Sequence, residues 1–334
     1  MRQALLDWYD AHKRALPWRE TKDPYAIWVS EIMLQQTRVE TVIPYWTRFL
    51  DRFPTTEALA QASEDEVLSM WSGLGYYRRA RLLHAGVKEV VARYGGAVPE
   101  GADERLGLPG VGRYTAGAIG SIAFDRPEPI VDGNVARVLS RVHGVDTPLG
   151  RRDTEKRLWA EAEALADGPR PGDLNQALME LGARVCTPTS PRCDDCPISR
   201  CVARDTGKQS SLPVPRPKKA PKRVALCAVV ARRGDRVALT KRAGALFGGL
   251  HGVPTAEGET RAEARAALKE AEVSARLGKE PVARLEHVLT HRRLDVRVWR
   301  ATGARSVAAR LFSVEELSQV GISSLTRKIL DAAR

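Results

Sequence analysis

No stretch of this 334-residue chain is apolar for long enough to cross a bilayer, and the N-terminus, Met1-Arg2-Gln3, lacks an apolar signal segment. Together these absences predict a soluble, cytoplasmic protein with no membrane partner, nucleoid-associated if its source is bacterial. Cysteine is scarce, at five residues, yet four of the five fall between Cys186 and Cys201. Without a secretion signal, so local a cluster points to metal binding more than to disulfides. Acidic residues are in deficit: 41 Asp and Glu face 53 Lys and Arg, a formal charge of +12. Such a surplus favours a polyanionic partner, of which duplex DNA is the commonest, over a basic surface kept only for solubility. Apolar residues make up 43% of the chain, enough to bury a core in each of two domains.

The first two hundred residues read as helical. Asp23-Pro24 predicts a helix start, with apolar residues at helical spacing from Tyr25 to Leu34. Further helical segments are expected over 56–70, 78–93, 115–123, 133–142, 154–166 and 173–185, separated by short loops with Gly or Pro. Residues 204–223 are rich in proline and basic side chains and predict an extended linker. Beyond it the pattern alternates. Val224–Val230 and Arg236–Thr240 read as a hairpin across Arg233-Gly234-Asp235, Arg261–Glu270 as a helix, and Leu294–Trp299 as a strand. The organisation expected is therefore a helical region over 1–203, the linker over 204–223 and a small α+β domain over 224–334.

Cys186, Cys193, Cys196 and Cys201 leave gaps of six, two and four residues. Four thiolates this close in sequence can enclose one metal centre. Zinc is the alternative, but structural zinc usually takes two Cys-x-x-Cys knuckles, and only Cys193 and Cys196 form one. The pattern resembles the 4Fe–4S loop of the endonuclease III and MutY glycosylases. That loop usually has gaps of six, two and five, so the loop before Cys201 is expected to be tighter here. By this resemblance the four cysteines hold a 4Fe–4S cluster of structural role, shaping a basic loop with Arg192 and Arg200 against phosphates. Cys227, in a predicted strand, reads as a buried small hydrophobe.

Leu108-Pro109-Gly110-Val111-Gly112-Arg113-Tyr114-Thr115-Ala116-Gly117 lies between helical segments. Gly110 and Gly112 allow close backbone approach, and the helix start that follows suits a phosphate. The string resembles the helix-hairpin-helix of the same glycosylase superfamily. Members that cut the strand as lyases carry lysine where this chain has Tyr114. A phenol cannot form a Schiff base, so Tyr114 implies base removal without efficient strand cleavage.

Two more segments extend the resemblance. Val131-Asp132-Gly133-Asn134-Val135 follows the hairpin at the interval of the superfamily's catalytic aspartate, and Ser30-Glu31-Ile32-Met33-Leu34-Gln35-Gln36-Thr37 resembles the segment with the MutY catalytic acid. The implied roles are Glu31 as proton donor, Asp132 as stabiliser or transient nucleophile for an oxocarbenium-like sugar, and Asn134 and Tyr114 as partners within the site. The apolar neighbours Ile27, Trp28, Ile32 and Leu34 predict a Glu31 that stays protonated near neutral pH. The resemblance further implies Trp18, Arg19, Leu34 and Gln176 around the adenine. It places Gln36, Thr37, Leu74, Tyr76, Gly110 and Gly112 against DNA, with Gln36 and Tyr76 filling the gap left by an extruded base. Glu180 reads as structural.

In the last third, Leu246–Pro254 and Glu286-His287-Val288-Leu289-Thr290-His291 resemble the Nudix-like domain with which MutY proteins sense 8-oxoguanine. Leu289, Thr290 and His291 would contact the lesion. Leu289-Thr290-His291 stands where the family usually has Phe-Ser-His, which keeps a hydroxyl and loses an aromatic ring. The acidic Nudix signature is absent from residues 255–275, which argues against nucleotide-diphosphate hydrolysis. The whole resemblance implies a helix-hairpin-helix glycosylase domain with a Nudix-like second domain. It would act as a monomer on duplex DNA and release adenine mispaired with 8-oxoguanine or guanine. A thymine or uracil mismatch glycosylase on the same scaffold, or a catalytically silent lesion-binding protein, are the rivals.

Overall fold

A computed structural model describes every residue except Lys218, Lys219, Ala245, Leu246, Val307 and Val314. Leu246, which opens the Nudix-like string, and two lysines of the predicted linker thus lie outside the described residues. The chain divides into two compact units, Met1–Ala60 with Ala85–Lys218, and Gln61–His84 with Lys219–Arg334. The second unit therefore takes in a segment that reads, in sequence, as part of the helical region.

Helices follow one another along residues 2–205: α1 (Arg2–His12), α2 (Pro24–Leu34), α3 (Val39–Arg52), α4 (Thr56–Gln61), α5 (Glu64–Met70), α6 (Arg78–Tyr94), α7 (Ala102–Leu106), α8 (Arg113–Phe124), α9 (Gly133–Val142), α10 (Arg152–Ala166), α11 (Pro171–Arg184) and α12 (Val202–Asp205). Helix α2 starts where expected. The Asp23 carboxylate accepts from the amides of Tyr25 (3.0 Å) and Ala26 (3.4 Å), and Pro24 occupies the first helical position. Nearly every residue of α2 is buried, which explains its apolar character all round and carries Glu31 into the interior. The single segment expected over 56–70 is two helices. Ser63 breaks it, because its hydroxyl caps α5 by accepting from Glu66 N (3.2 Å).

In the first unit α2 packs against α8, and α11 packs against α1, α8 and α9. The shared core includes Leu5, Ile27, Val135, Leu139, Leu174 and Leu178. Several helix contacts are too close for a side chain, and two of them bear on the polar cluster described below. A Cβ on Gly117 of α8 would lie 2.3 Å from the carbonyl oxygen of Pro129, and one on Gly182 of α11 would lie 2.6 Å from Asn134 Cβ. The first half of the predicted linker is not free of this unit. Leu212 is buried, Arg141 Nε donates to its carbonyl (2.9 Å), and Leu149 N donates to Val214 O (3.0 Å).

The second unit is built on a mixed sheet. Its strands are β1 (Lys222–Arg233), β2 (Arg236–Lys241), β3 (His251–Gly252), β4 (Thr255–Glu257), β5 (Val273–Leu277), β6 (Ala283–Val288), β7 (Arg292–Ser306) and β8 (Arg310–Phe312). The order is β3-β2-β1-β7-β5, with β4 on β1, β6 on β7 and β8 on β2. Strand β1 runs parallel to β7 from Lys222↔Arg292 to Arg232↔Thr302. Both faces are covered. Ala228 and Val230 belong to a core with α14 (Ser324–Ala332), whereas Cys227, Val229 and Ala231 belong to one with α13 (Arg261–Glu270). A strand buried on both faces needs a continuous apolar run, which is what residues 224–230 supply. Cys227 is buried there as a small hydrophobe.

Replacing Gly117 by Ala is expected to lower stability by about 2 kcal/mol, because backbone rather than a flexible side chain must give way. Urea unfolding checks this; an unchanged midpoint would mean that α8 does not press on Pro129 in solution.

Candidate active site

The Glu31 carboxyl, 4% exposed, is the centre of a polar cluster inside the first unit. The Tyr114 hydroxyl, from the first turn of α8, donates to Glu31 Oε2 at 2.6 Å and also touches Met179 Sδ at 3.3 Å. Burial pushes the Glu31 carboxyl up to about 7; the Tyr114 hydrogen bond and the Arg19 charge oppose the rise, and the Asp132 charge adds to it. Burial, and then the charge of Glu31, raise the Tyr114 hydroxyl well above its ordinary value. The phenol therefore stays protonated and acts as a hydrogen-bond donor.

Asp132 is the N-cap of α9. Its Oδ1 accepts from Val135 N (2.7 Å) and its Oδ2 from Asn134 Nδ2 (3.0 Å). Burial raises its carboxyl, while those two donors and the Arg137 charge favour the ionised form. One short sequence, Asp-Gly-Asn-Val, thus starts a helix and orients a carboxylate. Arg137, one turn further along α9, fixes the amide: its Nη2 donates to Asn134 Oδ1 (2.9 Å) and to Gly182 O (2.8 Å), and its Nε donates to Cys186 O (2.7 Å). The sequence reading missed Arg137 and Met179. Helical spacing is the signal that could have found them, three residues after Asn134 and after Gln176.

A second polar group adjoins this one. Arg19 closes a short 3-10 turn, Pro17–Arg19, in which Trp18 is buried edge-on to Trp46 at 6.0 Å. Arg19 Nε donates to Gln176 Oε1 (3.2 Å) and its Nη2 to Glu180 Oε2 (2.9 Å). Arg14 grips the same carboxylate through Nε (2.8 Å) and Nη2 (2.9 Å). The structure thus brings Glu31, Tyr114, Asp132, Asn134, Arg19 and Gln176 into one connected region of the first unit. Leu34 ends α2, and Gln36 and Thr37 follow it, with Gln36 at φ +57°.

The hairpin occupies the position its sequence implies. Gly110 has φ +78°, Leu108 and Val111 are buried, and Gly112 caps α8 with no capping side chain. Cys186, Cys193, Cys196 and Cys201 line one cavity with Val138, Leu181 and Ile198. Arg141 Nη1 donates to Cys186 Sγ (3.3 Å). The four-residue gap is spanned with Ile198 buried in the core and Cys201 at the start of α12. Among the described residues, no group of three or more His, Cys, Asp or Glu is arranged to hold a single metal ion.

In the second unit, the tip of the β6–β7 hairpin carries Leu289, Thr290 and His291, closed by Leu289 N to Arg292 O (2.8 Å). Tyr76 comes to this tip: its hydroxyl lies 3.1 Å from Thr290 Oγ1, although the two are 214 positions apart. Tyr76 is 46% exposed at φ +47°, and Tyr77 anchors its loop by donating to Ile322 O (3.1 Å). Leu74, expected at DNA, is buried. His287 is buried too, and burial lowers its pKa.

Comparison with known proteins agrees with this architecture. Residues 29–164 match the model of the HhH-GPD superfamily of base excision DNA repair proteins, and residues 226–332 match that of the NUDIX domain. The chain is similar to the adenine DNA glycosylases of Rattus norvegicus (51% identical over 64% of this chain and 44% of that one) and Homo sapiens (50%, 63% and 40%). It therefore spans less than half the length of these two relatives. Among solved structures it is similar to a thermostable thymine-DNA glycosylase, at 30% identity and a TM-score of 0.56 over 61% of this chain and 95% of that one.

The Glu31 carboxyl gives a stability prediction with a fixed sign. At pH below 4.5 it is protonated in folded and unfolded chains alike; above about 7 the fold must bury an anion. Glu31→Gln removes that penalty, so its stability relative to the parent is expected to rise by ~3 kcal/mol as pH increases through this window. Urea unfolding of both proteins across the window tests it. A difference that does not vary with pH would mean that Glu31 titrates as an ordinary carboxylate.

Proposed function

We propose that this chain, which belongs to the HhH-GPD superfamily of base excision DNA repair proteins, hydrolyses the N-glycosidic bond of adenine mispaired with 8-oxoguanine or guanine in duplex DNA. The observation that carries this reading is the buried Glu31 carboxyl, held by Tyr114 beside Asp132, with a pKa near neutrality. Adenine is a poor leaving group as an anion. Glu31, entering the reaction protonated, donates to N7 so that the base leaves neutral. The C1′–N9 bond breaks, positive charge builds on the sugar, and Asp132 stabilises or transiently traps it from its fixed place at the start of α9. Water then adds to C1′ and gives up a proton to the Glu31 carboxylate, which restores the acid. Tyr114 offers no amine, so the strand is not cut efficiently. Trp18, Arg19, Leu34 and Gln176 receive the extruded base, and Gln36, Thr37 and the Gly110–Gly112 hairpin engage the strand it came from.

Cys186, Cys193, Cys196 and Cys201 hold a 4Fe–4S cluster in this account. Their shared cavity and the Arg141 contact to Cys186 Sγ suit a thiolate-bound group, with zinc as the alternative. When bound, the cluster cross-links the loop that presents Arg192 and Arg200. In the second unit the Tyr76–Thr290 pair and His291 contact the 8-oxoguanine opposite the adenine.

The experiment is single-turnover base release from an adenine:8-oxoguanine duplex beside a thymine:guanine control. The solved thymine-DNA glycosylase to which the chain is similar makes that control informative. Free adenine from the first duplex alone is expected, and Glu31→Gln and Asp132→Asn should each slow release by at least ~10²-fold. Thymine release, or full rate in either variant, would refute the assignment. The protein should bind iron and absorb visible light; a colourless protein with stoichiometric zinc would refute the cluster.

A further inference from the structure

Glu180 is a buried carboxylate that the chemistry above does not use. Its side chain is 1% exposed, and it accepts from Arg14 through both oxygens and from Arg19 through Oε2. Arg184 adds a longer contact at 3.8 Å. A lone structural ion pair would need one partner. Here Arg14 alone already engages both oxygens, and Arg19 is held as well.

Arg19 is fixed by three acceptors on three of its nitrogens: Gln176 Oε1 on Nε, the Arg14 carbonyl on Nη1 (3.0 Å) and Glu180 on Nη2. A guanidinium has donors only, so the group facing Arg19 Nε must be the oxygen of the Gln176 amide. The Gln176 nitrogen is then the donor turned away from Arg19, and no hydrogen bond joins it to any other group among the described residues. Gln176 and Glu180 are four residues apart on α11 and share one face of the helix. Met179, between them, touches the Tyr114 hydroxyl that holds Glu31.

We propose that Glu180 is a positioning residue for base recognition: by fixing Arg19 it locks the Gln176 amide with its oxygen inward and its N–H donors toward the base. This rests on the proposed glycosylase function. A fixed donor accepts a purine edge with a ring-nitrogen acceptor, as in adenine, and opposes an edge with an N–H, as in guanine. Without Glu180, Arg19 loses its third tether and the amide can turn over, presenting either face. The carboxyl of Glu180 stays below its usual range because Arg14 and Arg19 outweigh its burial, so the anchor keeps its charge.

The test separates selectivity from catalysis. Binding is measured for duplexes carrying non-cleavable 2′-fluoroadenosine or 2′-fluoroguanosine opposite 8-oxoguanine. The parent should prefer the adenosine duplex, and Glu180→Gln should lose about tenfold of that preference. Arg19→Lys should lose a similar factor, and the double variant should lose no more than Arg19→Lys alone. Glu180→Asp, which keeps the charge, covers the case in which Glu180→Gln does not fold, and should retain part of the preference. A Glu180 variant with parental selectivity, additive losses in the double variant, or no base preference in the parent would each overturn the proposal. Adenine release by the parent, followed in parallel, reports separately on the glycosylase reading.

Discussion

Putting a carboxyl in the middle of a helix that is buried on nearly every side is unfavourable, and the arrangement around Glu31 follows from how that is managed. A buried anion would be strongly destabilising, so the fold holds the acid instead and gives it one donor, the Tyr114 hydroxyl at 2.6 Å. The group is thereby left with a proton it can give up near neutral pH, which is the property a general acid requires. Burial raises the Asp132 carboxyl as well, but hydrogen bonds from its own helix start and the Arg137 charge oppose that rise, so the two carboxyls sit in differently furnished surroundings.

Around this pair the polar groups form chains rather than isolated contacts. Asp132, Asn134 and Arg137 lead to the backbone of Cys186, and Gln176, Arg19, Glu180 and Arg14 lead from α11 to the segment after α1. Buried networks of this type specify geometry only when their members are satisfied. Close packing supplies the rest. Gly117 and Gly182 let α8 and α11 approach neighbouring backbone and side chain closely, which fixes where Tyr114 and Gln176 can be.

Much of this was legible in the sequence. The helical period marked α2, α8, α9 and α11, and Asp23-Pro24 marked the start of α2 because its capping physics is local. Glu31 and Asp132 stood inside extended motifs. What was not legible depends on distance along the chain. Arg14 and Glu180 are 166 residues apart, and neither sits in a pattern that predicts the other. Strand β1 pairs with β7 across about seventy positions, a pairing with no local signature, and the short alternating runs of β5 and β6 were not singled out as strands. The assignment of residues 61–84 to the second unit is of the same kind: contacts such as Tyr77 to Ile322 and Lys241 to Asp65 have no local signature.

Burial lets Glu31 hold its proton near neutral pH, and the Tyr114 hydroxyl moderates the effect. A carbon-13 NMR titration of the Glu31 carboxyl, assigned by its loss in Glu31→Gln and repeated in Tyr114→Phe, tests this directly. A midpoint near 7 is expected, moving upward when the Tyr114 hydroxyl is removed. A midpoint in the ordinary carboxylate range, unmoved by Tyr114→Phe, would contradict it.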